Sequence, residues 1–161
     1  MKHQTQVELT RAVFHHLEKG TTDCAGEIYR NPVAHYISAE RLAQEKAALF
    51  LRRPLLAALS CQLREAGTYI TCDGAGVPML IIRGQDGVVR AFLNVCRHRG
   101  ARVANGCGVN ANRFQCPYHG WTYDGAGHLV AVPNKRSFNG MDRAQHNLVP
   151  LPAVERNGLI W

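Results

Sequence analysis

Two short motifs constrain this chain more than any other feature: Cys96-Arg97-His98 and Cys116-Pro117-Tyr118-His119, with seventeen residues between His98 and Cys116. Each motif offers one sulfur and one nitrogen donor, in the order Cys, His, Cys, His. A zinc finger usually groups its ligands, cysteines first and histidines later, on a knuckle and a helix. Interleaved pairs on two loops favour a two-metal cluster, in a fold that brings both loops to one place. A structural zinc site on the same four residues is the chemically competent alternative, because the set also suits tetrahedral zinc.

The flanking sequence supplies such a fold. Beyond Pro54, short β-favouring runs (Leu55 to Leu59, Tyr69 to Cys72, Met79 to Ile82, Val88 to Val95) alternate with glycine-containing turns. Gly84 to Gly87 reads as a hairpin connection whose second strand runs straight into Cys96. Arg113 to Cys116, Thr122 to Asp124 and Leu129 to Val132 read as further strands, with Asp124 to Gly127 as a hairpin turn just after the second motif. Val154 to Trp161 reads as a strand pair around Asn157-Gly158 that stops abruptly.

The residues before Pro54 have a different character. Val7, Leu9, Val13, Phe14 and Leu17 recur at helical spacing, predicting an amphipathic helix from Gln6 to Leu17 that ends near Gly20. Thr21 to Ile37 lacks a sustained period and reads as an extended arm packed by Ile28, Tyr29 and Tyr36. Ser38 is placed as the N-cap of a second helix that Arg52-Arg53-Pro54 stops. The expected organisation is a helical segment and arm over 1–53 and a mainly β domain over 54–161.

Composition narrows the setting. No apolar run approaches the roughly 20 residues that span a bilayer, and the first residues lack the apolar core of a secretory signal, so a cytoplasmic location and no membrane are expected. In a reducing compartment six cysteines point to metal rather than disulfides. Cys24, Cys61, Cys72 and Cys107 have no ligand neighbours at useful spacing and read as free thiols in or near the core. The formal net charge of +7 is spread along the chain without a long basic block, which argues against nucleic acid and suits encounter with a small acidic electron carrier.

In a Rieske centre two His replace two Cys on one iron, so two loops that each give one Cys and one His meet its geometry. Gly100 and Gly120 stand where backbone N–H groups would approach the bridging sulfides, and Pro117 stiffens the second loop. CRHRGARV followed by CPYHGWTYD resembles the Rieske domain of the large (α) subunit of aromatic-ring-hydroxylating oxygenases, and the likeness extends over roughly Tyr29 to Trp161. That resemblance implies an antiparallel β-sandwich with two cluster-binding loops. It also implies a [2Fe-2S] cluster with Cys96 and Cys116 on one iron, and with His98 and His119 on the other through their Nδ1 atoms. A ferredoxin or reductase would supply the electron.

In that family a separate C-terminal domain holds a mononuclear iron on two His and a carboxylate, and receives electrons from a neighbouring subunit's cluster; the resemblance places His119 at that boundary. No such triad follows His119 here, so the sequence reads as the Rieske portion of an oxygenase α subunit, with a free-standing Rieske carrier as the alternative. Respiratory Rieske proteins carry an extra cysteine in each loop and a serine that bonds a sulfide. Here Ala101, Tyr118 and Trp121 stand at those positions, and fewer hydrogen bonds to sulfur predict a potential near the low end of the Rieske range, around −150 mV. Arg97, Arg99 and Arg102 are candidates for a docking surface or for pairing with carboxylates. His3, His15, His16, His35, His128 and His146 read as ordinary surface or core histidines.

Overall fold

The two-residue alternation of strand side chains sets the architecture, which the computed structural model describes for residues 1–109 and 111–161. In Val77–Arg83, Leu80 and Ile82 are buried in one apolar cluster and Ile81 between them in a second, as the strand period requires when both faces are covered. In Val89–Leu93, Phe92 joins the first cluster and Val89 and Ala91 the second.

These two strands, β3 and β4, are the middle of a five-stranded antiparallel sheet. Its members are β2 (Tyr69–Gly74), β3, β4, β5 (Cys107–Gly108) and β9 (Pro150–Leu151), in the order β5-β2-β3-β4-β9. One face packs on a three-stranded sheet of β6 (Arg113–Gln115), β7 (Thr122–Asp124) and β8 (Leu129–Ala131), through Phe114, Tyr123 and Leu129. The other face meets Ala58 of β1 (Ala58–Leu59), Ile160 of β11 (Leu159–Ile160) and Leu63. With β10 (Glu155–Arg156) these make the sheet β1-β11-β10. The expected antiparallel β-sandwich is therefore present, with a third small sheet behind it.

The chain divides by its internal contacts into Met1–Ala39 and Glu40–Trp161. In the first unit, α1 (His3–Lys19) is stopped by Gly20, whose φ of 62° lets its N–H reach back to the His16 carbonyl. A single turn, α2 (Ala34–Ile37), interrupts the expected arm. Its cause is local: the Asn31 side chain bonds both His35 Nδ1 (2.6 Å) and the Tyr36 hydroxyl (2.7 Å), a pairing that apolar periodicity does not reveal. Ile28, Tyr29 and Tyr36 do not pack the arm; they are exposed. The second helix, α3 (Ala39–Glu45), follows directly on Ser38 and loosens into a π-helical turn over Lys46–Phe50 before Pro54, which lacks the N–H to continue it.

Three of the cysteines expected in or near the core lie outside it. Cys24 in the arm, Cys61 in a 3-10 turn and Cys107 on edge strand β5 are exposed, and only Cys72, in β2, is half-buried. Their sequence neighbours are polar or small (Asp23 and Ala25, Ser60 and Gln62, Gly106 and Gly108), so no apolar run carries them inward. Strands β5 and β9 were not legible in the sequence, being two residues long and carrying Gly108 and Pro150.

One polar side chain inside the apolar core fixes the first motif. Asn94, fully buried after β4, accepts from the N–H groups of Val103 (3.0 Å) and Ala104 (3.1 Å) and donates to the Ala104 carbonyl (2.8 Å). It ties the strand end before Cys96 to the segment after the loop. Unpairing buried groups of this kind costs about 1–3 kcal/mol each.

Arg83 and Glu155 join the sheets at the other side. The guanidinium at the end of β3 gives two parallel bonds to the Glu155 carboxylate of β10 (3.0 and 2.7 Å) and also bonds the Leu63 carbonyl. The Arg83 hydrogen bond holds the Glu155 carboxyl down to about 2 from its ordinary 4.5. A depressed carboxyl stabilises the fold above its unfolded value, and that contribution is lost as pH falls through its folded value. Acid titration of stability by circular dichroism should show a loss between pH 4.5 and 2 that Glu155→Gln flattens; a variant with the parent's slope would remove this pair from the acid response.

Candidate metal centre

The two motifs are the same turn used twice. In the first, the Cys96 N–H donates to the Ala101 carbonyl (2.7 Å) and the Gly100 N–H donates to the Cys96 carbonyl (2.9 Å). In the second, the Cys116 N–H donates to the Trp121 carbonyl (2.8 Å) and the Gly120 N–H to the Cys116 carbonyl (3.0 Å). Each cysteine thus bonds the residue five positions on and receives the N–H four positions on. Closing that turn requires a left-handed residue at the fourth position, and Gly100 (φ 77°) and Gly120 (φ 70°) supply it. At Gly120 a Cβ would also come within 2.9 Å of Pro133 Cγ. The glycine N–H groups are therefore engaged with cysteine carbonyls, and the structural use of these glycines is to shut the loops.

The first loop hangs from the end of β4 and the second joins β6 to β7, so the packing of the two sheets delivers both to one end of the sandwich. Cys96 and Cys116 are 2% exposed, within the first core. The histidines lie outward, His98 half-buried and His119 exposed, with ring centroids 4.7 Å apart. Trp121, also 2% exposed, stacks on His98 at 4.8 Å and 8°, and Tyr118 lies against His119 at 3.8 Å. All four residues singled out from the sequence meet here.

The donors suit an iron–sulfur cluster of the kind their order suggests. His98 Nδ1 is buried without a hydrogen-bond partner, a costly state for a polar atom unless a ligand engages it. Burial of the ring, followed by the charges of His119 and Arg99, lowers the His98 pKa and favours the neutral, ligating imidazole. Burial pushes the Cys96 thiol up, opposed by a hydrogen bond from Tyr123. Among the described residues no three His, Cys, Asp or Glu side chains gather tightly enough to hold one metal ion.

Tyr123 was missed in the sequence. It is fully buried in β7, its hydroxyl oxygen accepts from the Arg97 N–H (3.0 Å), and its proton is left for Cys96 Sγ at 3.5 Å. Its signal was a large aromatic in the middle of the short strand that follows the second motif. Of the arginines, Arg102 pairs with Asp73 (3.0 Å); Arg97 and Arg99 are exposed, with no carboxylate in ion-pair range among the described residues. His146 packs its ring edge on Trp121 at 5.7 Å.

The fold and this end of the sandwich define a Rieske iron–sulfur domain. The Rieske [2Fe-2S] domain pattern matches residues 54–152, and the chain belongs to that family. It is 36% identical over 130 residues to the carnitine monooxygenase oxygenase subunit of Acinetobacter baumannii, covering 81% of this chain and 35% of that protein. With the chlorobenzene dioxygenase subunit alpha of Cupriavidus sp. the identity is 36% over 143 residues, 88% of this chain and 30% of that one. Among solved structures, a quaternary ammonium Rieske monooxygenase in complex with L-carnitine superposes with a TM-score of 0.72 at 36% identity, over 80% of this chain and 37% of that one. Naphthalene 1,2-dioxygenase from Rhodococcus sp. bound to indole gives 0.73 at 27% identity, over 99% and 35%. The chain spans about a third of the length of these relatives.

With Cys96 as a ligand, the Tyr123 hydroxyl proton at its sulfur would favour the more negative, reduced form of a cluster held there. Tyr123→Phe should lower the reduction potential by about 40 mV, the one-electron equivalent of about 1 kcal/mol, with iron content retained. Voltammetry of the two proteins checks this, and equal potentials would remove Tyr123 from the tuning of the centre.

Proposed function

We propose that Cys96 and Cys116 bind one iron and His98 and His119 the other iron of the [2Fe-2S] cluster, and that the chain passes single electrons toward the mononuclear iron of an oxygenase. The observation that carries this reading is the doubled turn, which sets two buried sulfurs beneath two outward imidazoles and leaves His98 Nδ1 buried and unpartnered. Reading 54–161 as the cluster domain is supported by a family match that begins at residue 54.

When bound, the cluster supplies reversible one-electron chemistry. The chain's own residues supply the rest. The buried Cys96 and Cys116 hold their sulfurs away from water. Trp121 covers the His98 face. Tyr123 holds its hydroxyl proton against Cys96 Sγ. His119 is exposed and offers its ring to a neighbouring surface. A quaternary ammonium Rieske monooxygenase structure is described in terms of inter-subunit electron transfer, which supports handing the electron from His119 to an adjacent oxygenase subunit. A ferredoxin or reductase is the donor, and the absence of any helix long and apolar enough to cross a membrane among the described residues accords with work in the cytoplasm.

Anaerobic reductive titration with iron and zinc quantified tests the reading. The expected result is one electron per two irons at a potential near −150 mV, and loss of iron in Cys116→Ser. One zinc per chain without iron, or a potential near the −400 mV of all-cysteine plant-type ferredoxins, would overturn it.

A further inference from the structure

The two histidines differ in what covers them. His119 is exposed, whereas a chain of packed rings leads away from His98. Trp121 lies flat on His98 (4.8 Å, 8°) and is nearly inaccessible to solvent, and its edge meets His146 at 5.7 Å and 70°. Phe138 closes the flank, edge-on to His98 at 5.6 Å and to Trp121 at 5.4 Å. His146 is half-buried on the 3-10 turn Arg143–His146, with its Nδ1 fixed on the Asp142 carbonyl at 2.9 Å. A carbonyl only accepts, so Nδ1 carries the proton. Contiguous π-systems thus fill the space from His98 to the surface, where water would otherwise interrupt electronic coupling.

The charge of this end is one-sided. Of the five arginines between Asp86 and Asp124, Arg90 pairs with Asp86 and Arg102 with Asp73, which leaves Arg97 and Arg99 as the positive charges beside His98. Arg97 and Arg99, exposed, flank His98; Arg136 and Arg143, also exposed, lie on the turns that carry Phe138 and His146. Between Asp124 and Glu155 the one carboxylate is Asp142, the N-cap of the turn that carries Arg143 and His146, and it offsets one of the positive charges there. Such a field draws in an acidic partner and orients it.

We infer that the electron enters on the His98 side, through the Trp121–His146 stack, from an acidic iron–sulfur protein docked on the surrounding arginines. This rests on the electron-transfer reading above. One electron leaves the donor's reduced cluster, which is oxidised, and the centre held by this chain is reduced by one; no bond breaks and no proton needs to move. Entry at His98 and departure at His119 give donor and acceptor separate faces. Nucleic acid would meet the same charge, but the ring stack has no role in holding it.

The test uses the iron-loaded chain and a reduced plant-type ferredoxin with an acidic surface, followed by stopped-flow absorbance, together with calorimetric binding of the oxidised ferredoxin. Rates are compared at each variant's measured potential. Arg136→Glu combined with Arg143→Glu should weaken binding and slow second-order reduction by about tenfold or more at low salt, the difference vanishing at high salt. Arg64→Glu, beside Leu63 of the second core, should change both by less than about twofold for the same kind of charge change. His146→Leu should bind ferredoxin as the parent does and accept its electron several-fold more slowly. Equal effects of the Arg64 and Arg136/Arg143 reversals, parental transfer by His146→Leu, or tighter binding to duplex DNA than to ferredoxin would overturn the inference. A chain that takes no electron from dithionite either would overturn the electron-transfer reading itself.

Discussion

Everything at the metal end depends on a five-residue closure made twice: a cysteine N–H bonded to the carbonyl five residues on, and a left-handed glycine returning its own N–H to the cysteine carbonyl. The closure turns each cysteine inward and each histidine outward without help from a helix. Because the first loop continues β4 and the second joins β6 to β7, sheet packing aligns the two turns face to face. The sandwich therefore acts as a clamp whose jaws are the loops, and its rigidity comes from the strands beneath.

Polar groups placed inside an apolar core hold that clamp in register. Asn94 makes three side-chain hydrogen bonds to the backbone of Val103 and Ala104, which tie the segment after the first loop to the strand before it. Tyr123, rooted in β7, reaches across to the Arg97 N–H and Cys96 sulfur of the opposite loop. One residue binds a loop to its own strand and the other binds the two jaws together. Trp121 completes the arrangement by covering His98.

The motifs themselves and the hairpins beside them were legible because they rest on local rules: ligand order, glycine turns and strand alternation. Strand β3 was readable from Met79 to Ile82, and β7 and β8 nearly to the residue. What stayed hidden depends on distant partners or on side-chain bonds. Strands β5 and β9 exist only as edges to β2 and β4. Asn94, inside the run read as Val88 to Val95, and Tyr123, inside the strand Thr122 to Asp124, were not singled out, because their roles lie in bonds to distant backbone and sulfur. The turn at Ala34–Ile37 comes from the Asn31 side chain rather than from periodicity, and the thiols of Cys24, Cys61 and Cys107 lie on turns and an edge where composition alone suggested a core.

The central claim is the division of ligands, two cysteine sulfurs on one iron and two histidine nitrogens on the other. Pulsed EPR of the reduced chain carrying 15N-labelled histidine measures it directly, because only directly bound nitrogens couple strongly to the unpaired electron. The expected result is two strongly coupled histidine nitrogens in the parent and one after His98→Cys or His119→Cys. No strong histidine coupling, or two couplings that persist in either variant, would contradict the assignment of His98 and His119.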